Sequence, residues 1–158
     1  MSIVLVAQHR FDHPADAVFA LSVDVERFPQ TFTGYGPIPA IRRIVLQGPL
    51  AVGATREIHS SDGSVLSEHI TALRPPLHHA YTLSGFRAPL GWLVRSGQAD
   101  WQLQPLQNAT LVTWSYRFET TGAIVRAPTA LLLHRCMQPA MQRCLQRMNA
   151  LLSGALPG

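Results

Sequence analysis

The 158-residue chain contains no lysine, and charged residues make up only 14% of it. All basic charge is therefore arginine, giving a formal net charge of +4 and an isoelectric point near 9.8. That charge is spread thinly along the sequence, without the clusters that track a phosphate backbone, so nucleic acid is not an expected partner. Gly34-Tyr35-Gly36-Pro37 has the glycines of a phosphate loop but neither the lysine nor the following helix that one needs. There are only two cysteines, Cys136 and Cys144; on one helix they stand roughly 12 Å apart, too far for a disulfide, and they are expected to be reduced, buried thiols. No CxxC pair occurs, and no apolar run approaches the length of a membrane span. The short run Ile3 to Ala7 is not preceded by a basic segment, so the cytoplasm is the expected compartment and integral membrane insertion is not expected. A GxSxG elbow is missing, and both cysteines are better explained as small apolar residues of a helix stripe, which leaves nucleophilic catalysis without support. Histidines show no HxxxH or HxH spacing with a nearby acid, and adjacent His78 and His79 on a strand point to opposite faces; no metal and no other cofactor is expected.

What the chain does have is apolar bulk. Hydrophobic residues make up 47% of it, and the mean hydropathy is +0.10. This length suits one domain with a substantial core, residues 1–158, with 153–158 as a flexible tail. So little solvating surface also makes exposed apolar patches or a homodimer interface expectations.

The longest periodic stretch is Ala127 to Leu152. Leu133, Met137, Ala140, Met141, Cys144, Met148, Leu151 and Leu152 share one helical stripe, while Arg135, Gln138, Gln142, Arg143, Gln146 and Arg147 share the other. Such a helix runs roughly 39 Å and needs an equally long apolar partner. Its methionines adapt to irregular surroundings, so the stripe can line a cavity as well as a tight core. Pro139 removes a backbone hydrogen bond and clashes with the carbonyl of Arg135, predicting a kink there.

The rest of the chain supplies that partner. Ile3 to Phe11 reads as a strand, followed after Pro14 by a helix over Ala15 to Ser22. Asp24 offers an N-cap to a second short helix, Val25 to Phe28, closed by Pro29. Thr31 to Pro39 is an ordered loop carrying Phe32 and Tyr35. Period-two patterning then predicts strands at 40–47, 52–60, 64–74, 78–86, 95–105 and 109–119, joined by connections short enough to make neighbours antiparallel. Ala99, Trp101 and Leu103 alternate with polar residues, as do Val112, Trp114, Tyr116 and Phe118, so one sheet face is wet and the other aromatic.

Several local sequences carry a resemblance: Pro14-Ala15-Asp16-Ala17-Val18-Phe19, Gly53 with Arg56 before Asp62-Gly63, Glu68-His69-Ile70-Thr71 leading to Pro75-Pro76, and Trp101-Gln102-Leu103-Gln104-Pro105 with Thr110-Leu111-Val112-Thr113-Trp114. Over nearly the whole chain these resemble the START-like, or Bet v 1-like, superfamily, and within it the polyketide cyclase/dehydrase and lipid-transport group. The resemblance implies an α+β helix-grip fold: a curved antiparallel sheet of about seven strands wrapped around a long C-terminal helix, with two short helices after the first strand. It further implies a cavity for a hydrophobic ligand, in a superfamily whose members include carriers, sensors, cyclases and hydrolases.

Glu68 is the leading site candidate. If Leu66, Ile70 and Ala72 face the core, period two puts Glu68 there too, and an inward carboxylate needs a partner or a raised pKa. Arg56 is the natural partner. A two-residue hairpin loop at Asp62-Gly63 sets Glu57 opposite Glu68, whereas a three-residue loop sets Ile58 there and places Arg56 diagonally in reach. The pair reads either as a structural ion pair in the cavity wall or as a polar anchor for a ligand carbonyl or hydroxyl. Tyr81, Trp101, Trp114, Tyr116 and Phe118 are expected on the apolar wall, with Leu133, Met137 and Met141 from the helix. Phe32, Tyr35 and Phe86 to Trp92 are expected at a rim or lid, or else as a plug closing the barrel end. His134 stands either at the pocket mouth, in proton transfer, or on the surface.

These features describe a container more clearly than a mechanism. The favoured reading is a protein that binds a small hydrophobic or aromatic ligand, lipid or polyketide-like. The alternative is an aromatase/cyclase- or dehydrase-type enzyme using the same cavity without a metal or covalent intermediate, with Glu68, Arg56, Tyr81 and His134 as its working residues.

Overall fold

The computed structural model describes residues 2–155; Leu156 to Gly158, the end of the expected tail, lie outside the described residues. Strand β1 (Ser2–Phe11) is followed by helix α1 (Ala15–Ser22), a single 3-10 turn at Phe28–Gln30, and the strands β2 (Ile41–Gln47), β3 (Thr55–Ser60), β4 (Val65–Arg74), β5 (His78–Ser84), β6 (Val94–Leu106) and β7 (Ala109–Thr120). A second 3-10 turn, Leu90–Trp92, sits between β5 and β6. The chain closes on α2 (Arg126–Leu132), a π-helical turn (Leu133–Met137) and α3 (Gln138–Leu152), which run on without a break. All seven strands form one antiparallel sheet in the order β1-β7-β6-β5-β4-β3-β2. The α+β, helix-grip architecture expected from the sequence is the one found.

One local expectation is corrected. Val25 to Phe28 does not form a helix closed by Pro29. Asp24 Oδ1 instead accepts hydrogen bonds from the backbone N–H groups of Glu26 and Arg27, making a capped turn, and Pro29 falls inside the 3-10 turn that follows. In the C-terminal helix the irregularity lies just before Pro139. The wide turn Leu133–Met137 takes up the disruption, and Pro139, the second residue of α3, follows directly on it.

The apolar stripe of the helix is buried as expected at Leu133, Met137, Ala140, Met141, Cys144 and Met148, and Leu145 joins it. Cys136 is only half-buried. The opposite stripe is less idle than its polarity suggests. Gln138 and Gln142 donate through their side-chain amides to the carbonyls of Val6 and Gln8, covering an edge strand that has no neighbour on that side. Arg147 reaches the carbonyl of Gln30 at 3.1 Å. Amide and guanidinium groups thus clamp the helix over the sheet while its greasy stripe fills the concave face.

On that face Trp101 and Trp114 stand directly opposite each other on β6 and β7 and stack with ring centroids 4.4 Å apart, a pairing worth about 0.5–1.5 kcal/mol beyond the area it buries. Tyr116 and Phe118 stack next to them at 4.6 Å. Gly97 makes room for this second pair. A Cβ there would lie 2.8 Å from Tyr116 Cε1 and 3.1 Å from Phe118 Cε1.

Candidate functional site

The β3–β4 hairpin decides what the site contains. Its loop has three residues, Ser61, Asp62 and Gly63, closed by a hydrogen bond from Ser60 N–H to the Ser64 carbonyl at 2.9 Å. Gly63 adopts φ +87°, a left-handed conformation that glycine takes without steric cost. Asp62 Oδ1 accepts from both the backbone N–H and the hydroxyl of Ser64. Those two bonds, with Arg87 nearby, hold the Asp62 carboxyl below the usual carboxylate range. The register that results is neither of the two considered from sequence: Arg56 stands directly opposite Glu68. Across the sheet a bulge at β4 skips Thr71 in the pairing with β5. This turns Ala72 off the core face expected for it, toward Ala80, and sets Tyr81 beside Ile70.

Glu68 and Arg56 are both buried. Arg56 Nε lies 3.3 Å from Glu68 Oε1, but the atom has no well-aligned hydrogen-bond partner, so the contact is mainly Coulombic. Burial pushes the Glu68 carboxyl above its ordinary pKa, and Arg56 opposes that shift. The guanidinium carbon of Arg56 also lies 5.2 Å from the centroid of the Tyr81 ring. The phenolic oxygen of Tyr81 accepts from Trp101 Nε1 at 3.4 Å and shares a hydrogen bond with the Tyr116 hydroxyl. Burial, reinforced by Glu68, raises the Tyr81 pKa, so the phenol stays protonated.

A cavity of about 270 Å³ opens over this cluster. Of the residues expected to bind a ligand, Phe32, Arg56, Glu68, Tyr81, Trp101, Trp114, Tyr116, Phe118, Leu133 and Met137 line it. The other two lie elsewhere. Tyr35 is 40% exposed and stacks under the guanidinium of Arg143, at 5.1 Å. Met141 is fully buried in the core behind the cavity wall. His134, a candidate for proton transfer, projects to solvent from the π turn. Of the expected rim, Phe86, Arg87, Ala88, Pro89 and Leu90 line the cavity, whereas Trp92 is turned outward. Sequence reasoning missed Ile44, Ile58, Leu66 and Leu83, which complete the apolar wall; each shares the period-two face of Arg56, Glu68 or Tyr81 or of its own strand, a signal already present.

Two further groups beside the cavity shape its chemistry. Trp114 Nε1 is buried without a hydrogen-bond partner. His79, stacked on Trp101 at 5.3 Å, lies 3.0 Å from Ser22 Oγ; that hydroxyl donates to the Phe19 carbonyl, so the histidine Nε2–H is the donor between them. Burial, with Arg56 and His78 adding, lowers the His79 pKa to about 3 and keeps it neutral. The Cys144 thiol is pushed up to about 12 by burial and does not line the cavity. Among the described residues no three His, Cys, Asp or Glu side chains come together as a metal site would require. The site thus offers hydrogen-bond donors and a carboxyl with a raised pKa in an aromatic pocket, and no activated nucleophile.

A family model described as polyketide cyclase / dehydrase and lipid transport matches residues 2–153. Solved structures with the same fold include a truncated norcoclaurine synthase from Thalictrum flavum (10% identity, covering 96% of this chain and 94% of that one, TM-score 0.73). The Zhui aromatase/cyclase from Streptomyces sp. R1128 is similar (13% identity, 96% of each chain, TM-score 0.72). So is a major latex-like protein from Panax ginseng (18% identity, 99% of each chain, TM-score 0.69). Identities this low speak for the fold alone. No curated protein matches the sequence.

Proposed function

The chain belongs to the polyketide cyclase / dehydrase and lipid transport family, and from that premise we propose that it binds a small hydrophobic or aromatic molecule, lipid or polyketide-like, between the sheet and the C-terminal helix. The observation that carries this reading is the cavity itself: apolar walls of Ile, Leu, Phe and Trp around a buried polar corner made by Arg56, Glu68 and Tyr81, with the buried hydroxyl-bearing Ser22, Ser60 and Ser64 also on the lining. At about 270 Å³ it exceeds the roughly 150 Å³ that holds a benzene and approaches the roughly 300 Å³ at which sites for drug-sized ligands begin. The apolar walls supply affinity, and the Tyr81 hydroxyl and the unpaired Trp114 Nε1 give a ligand carbonyl or hydroxyl somewhere to bond. With both thiols free, we place the protein in the cytoplasm. Native against denaturing mass spectrometry of freshly purified protein tests the reading. A reproducible apolar or polycyclic mass released on unfolding supports it. An empty protein that also fails to bind an apolar fluorescent probe overturns it.

One observation favours a catalytic second reading, of aromatase/cyclase or dehydrase type. Glu68, with its raised pKa, shares the pocket with a protonated tyrosine, a combination able to move a proton between substrate atoms without a metal. If Glu68→Gln leaves the turnover of every accepted substrate unchanged, this second reading fails.

A further inference from the structure

The cavity lining reaches the sheet end formed by the β3–β4 hairpin and the loop between β5 and β6, with the link from β7 to α2 beside that loop; the opposite end exposes Val52, Leu77 and Leu106, but this end carries the two most exposed of the large apolar side chains. Trp92 is 72% exposed and Ile124 is 94% exposed, the largest exposures among the big apolar side chains; Leu131, on the outer side of α2, and Val65, at the hairpin, are exposed as well. The first two are held close together. Thr121 Oγ1 donates to the Trp92 carbonyl at 2.6 Å and Thr121 N–H to the Leu93 carbonyl at 3.0 Å, so the two loop tips form one unit. Around them stand Arg87, Arg95 and Arg126, all exposed. Each donates to a backbone carbonyl, of Asp62, Thr121 and Ser2 respectively, and Arg87 also lies beside the Asp62 carboxylate. The acidic groups at this end are Asp62, beside Arg87, and the half-buried Glu119; segments 84–95 and 121–135 contain no acid at all.

We propose that this end is a docking surface for an anionic lipid bilayer. A tryptophan and single aliphatic side chains on protruding tips, flanked by arginines, match the headgroup boundary: the apolar tips enter it and the guanidinium groups meet lipid phosphates. Among the described residues no helix is long and apolar enough to cross a membrane, so the contact is peripheral. The loop that carries Trp92 is also part of the cavity wall, since Phe86 to Leu90 and Leu93 line the cavity while Trp92 points away from it. A hydrophobic ligand could thus pass between bilayer and cavity without crossing water.

The test is sedimentation of the full chain with vesicles of phosphatidylcholine alone and of phosphatidylcholine mixed with phosphatidylglycerol. The protein should sediment with the mixed vesicles and much less with the neutral ones, and added salt should release it. Arg95→Gln/Arg126→Gln should lower the partition coefficient about fivefold per arginine. Ile124→Ser, at a side chain with almost nothing packed on it, should lower it with no loss of folding. Arg10→Gln/Arg74→Gln removes the same charge at the opposite end of the sheet and should change nothing. Failure to sediment with either vesicle overturns the proposal and leaves an acidic protein as the partner such a surface would fit. Equal loss in the Arg10/Arg74 variant overturns it too, because binding would then follow net charge alone. Ile124, Arg95 and Arg126 do not line the cavity, so what the cavity holds is tested separately.

Discussion

Arg56 and Glu68 face each other across β3 and β4 with side chains only 5% and 8% exposed, and their charged atoms approach to 3.3 Å. Two charges removed from water together are tolerated because each offsets the other's desolvation; alone, neither is. The pair therefore bears on stability, and both of its members line the cavity.

Arg56→Met should destabilise the protein by about 3–5 kcal/mol at neutral pH, because it leaves Glu68 buried without a counter-charge. Burial already raises the Glu68 pKa in the folded state. A carboxyl raised on folding contributes stability below its unfolded pKa and loses it as pH rises through the folded one. The deficit of the variant should therefore shrink as pH falls toward 5. Adding Glu68→Leu should restore most of the loss. Urea denaturation at pH 5 and pH 8 checks all three expectations, and a deficit independent of pH would contradict them.

His79 should make the protein acid-sensitive in the opposite sense. Its folded pKa is lowered to about 3 from 6.5, so its contribution is present above 6.5 and is lost as pH falls, because the unfolded chain takes up the proton first. The loss amounts to about 1.4 kcal/mol per pH unit over that window. His79→Phe retains an aromatic ring against Trp101 and should flatten the slope between pH 6.5 and 4.5. An unchanged slope relative to wild type would assign acid sensitivity to another group.

Gly97→Ala puts a methyl group 2.8 Å from Tyr116 Cε1 and 3.1 Å from Phe118 Cε1. Both rings are packed on the cavity wall and cannot move freely, so the substitution should cost about 1–3 kcal/mol. It should also weaken binding of apolar probes. Thermal unfolding and probe titration of the same sample distinguish this from a harmless surface change, for which neither would move.

Tyr81→Phe removes the oxygen that accepts from Trp101 and pairs with the Tyr116 hydroxyl and leaves the Trp101 N–H buried without it, at a cost of about 1–3 kcal/mol. If the Tyr81 hydroxyl anchors a ligand oxygen, carbonyl-bearing probes should lose affinity while pure hydrocarbons keep theirs. Parallel titrations of the two probe types decide it, and equal losses would make Tyr81 purely structural.

Much of this molecule is written in local pattern. Period-two alternation is a property of consecutive residues, so it alone placed Trp101, Trp114, Tyr116 and Phe118 on the inner face and Glu68 among them. Helical period likewise determined the buried stripe from Leu133 to Met148. Relations between segments were left to the tertiary structure. The partner of Glu68 depended on the conformation of three loop residues around Gly63, because shifting a register changes which side chains meet without changing the strand pattern. The bulge at Thr71 turned Ala72 off the core face, and the π turn before Pro139 brought Leu133 and Met137 to the cavity wall while leaving His134 in solvent. Arginines scattered thinly through the sequence meet around Trp92 and Ile124 only because three chain reversals end at the same edge of the sheet. Sequence determines which way a side chain faces within its own element; which other side chains it meets is decided by loops and packing among residues far apart in the chain.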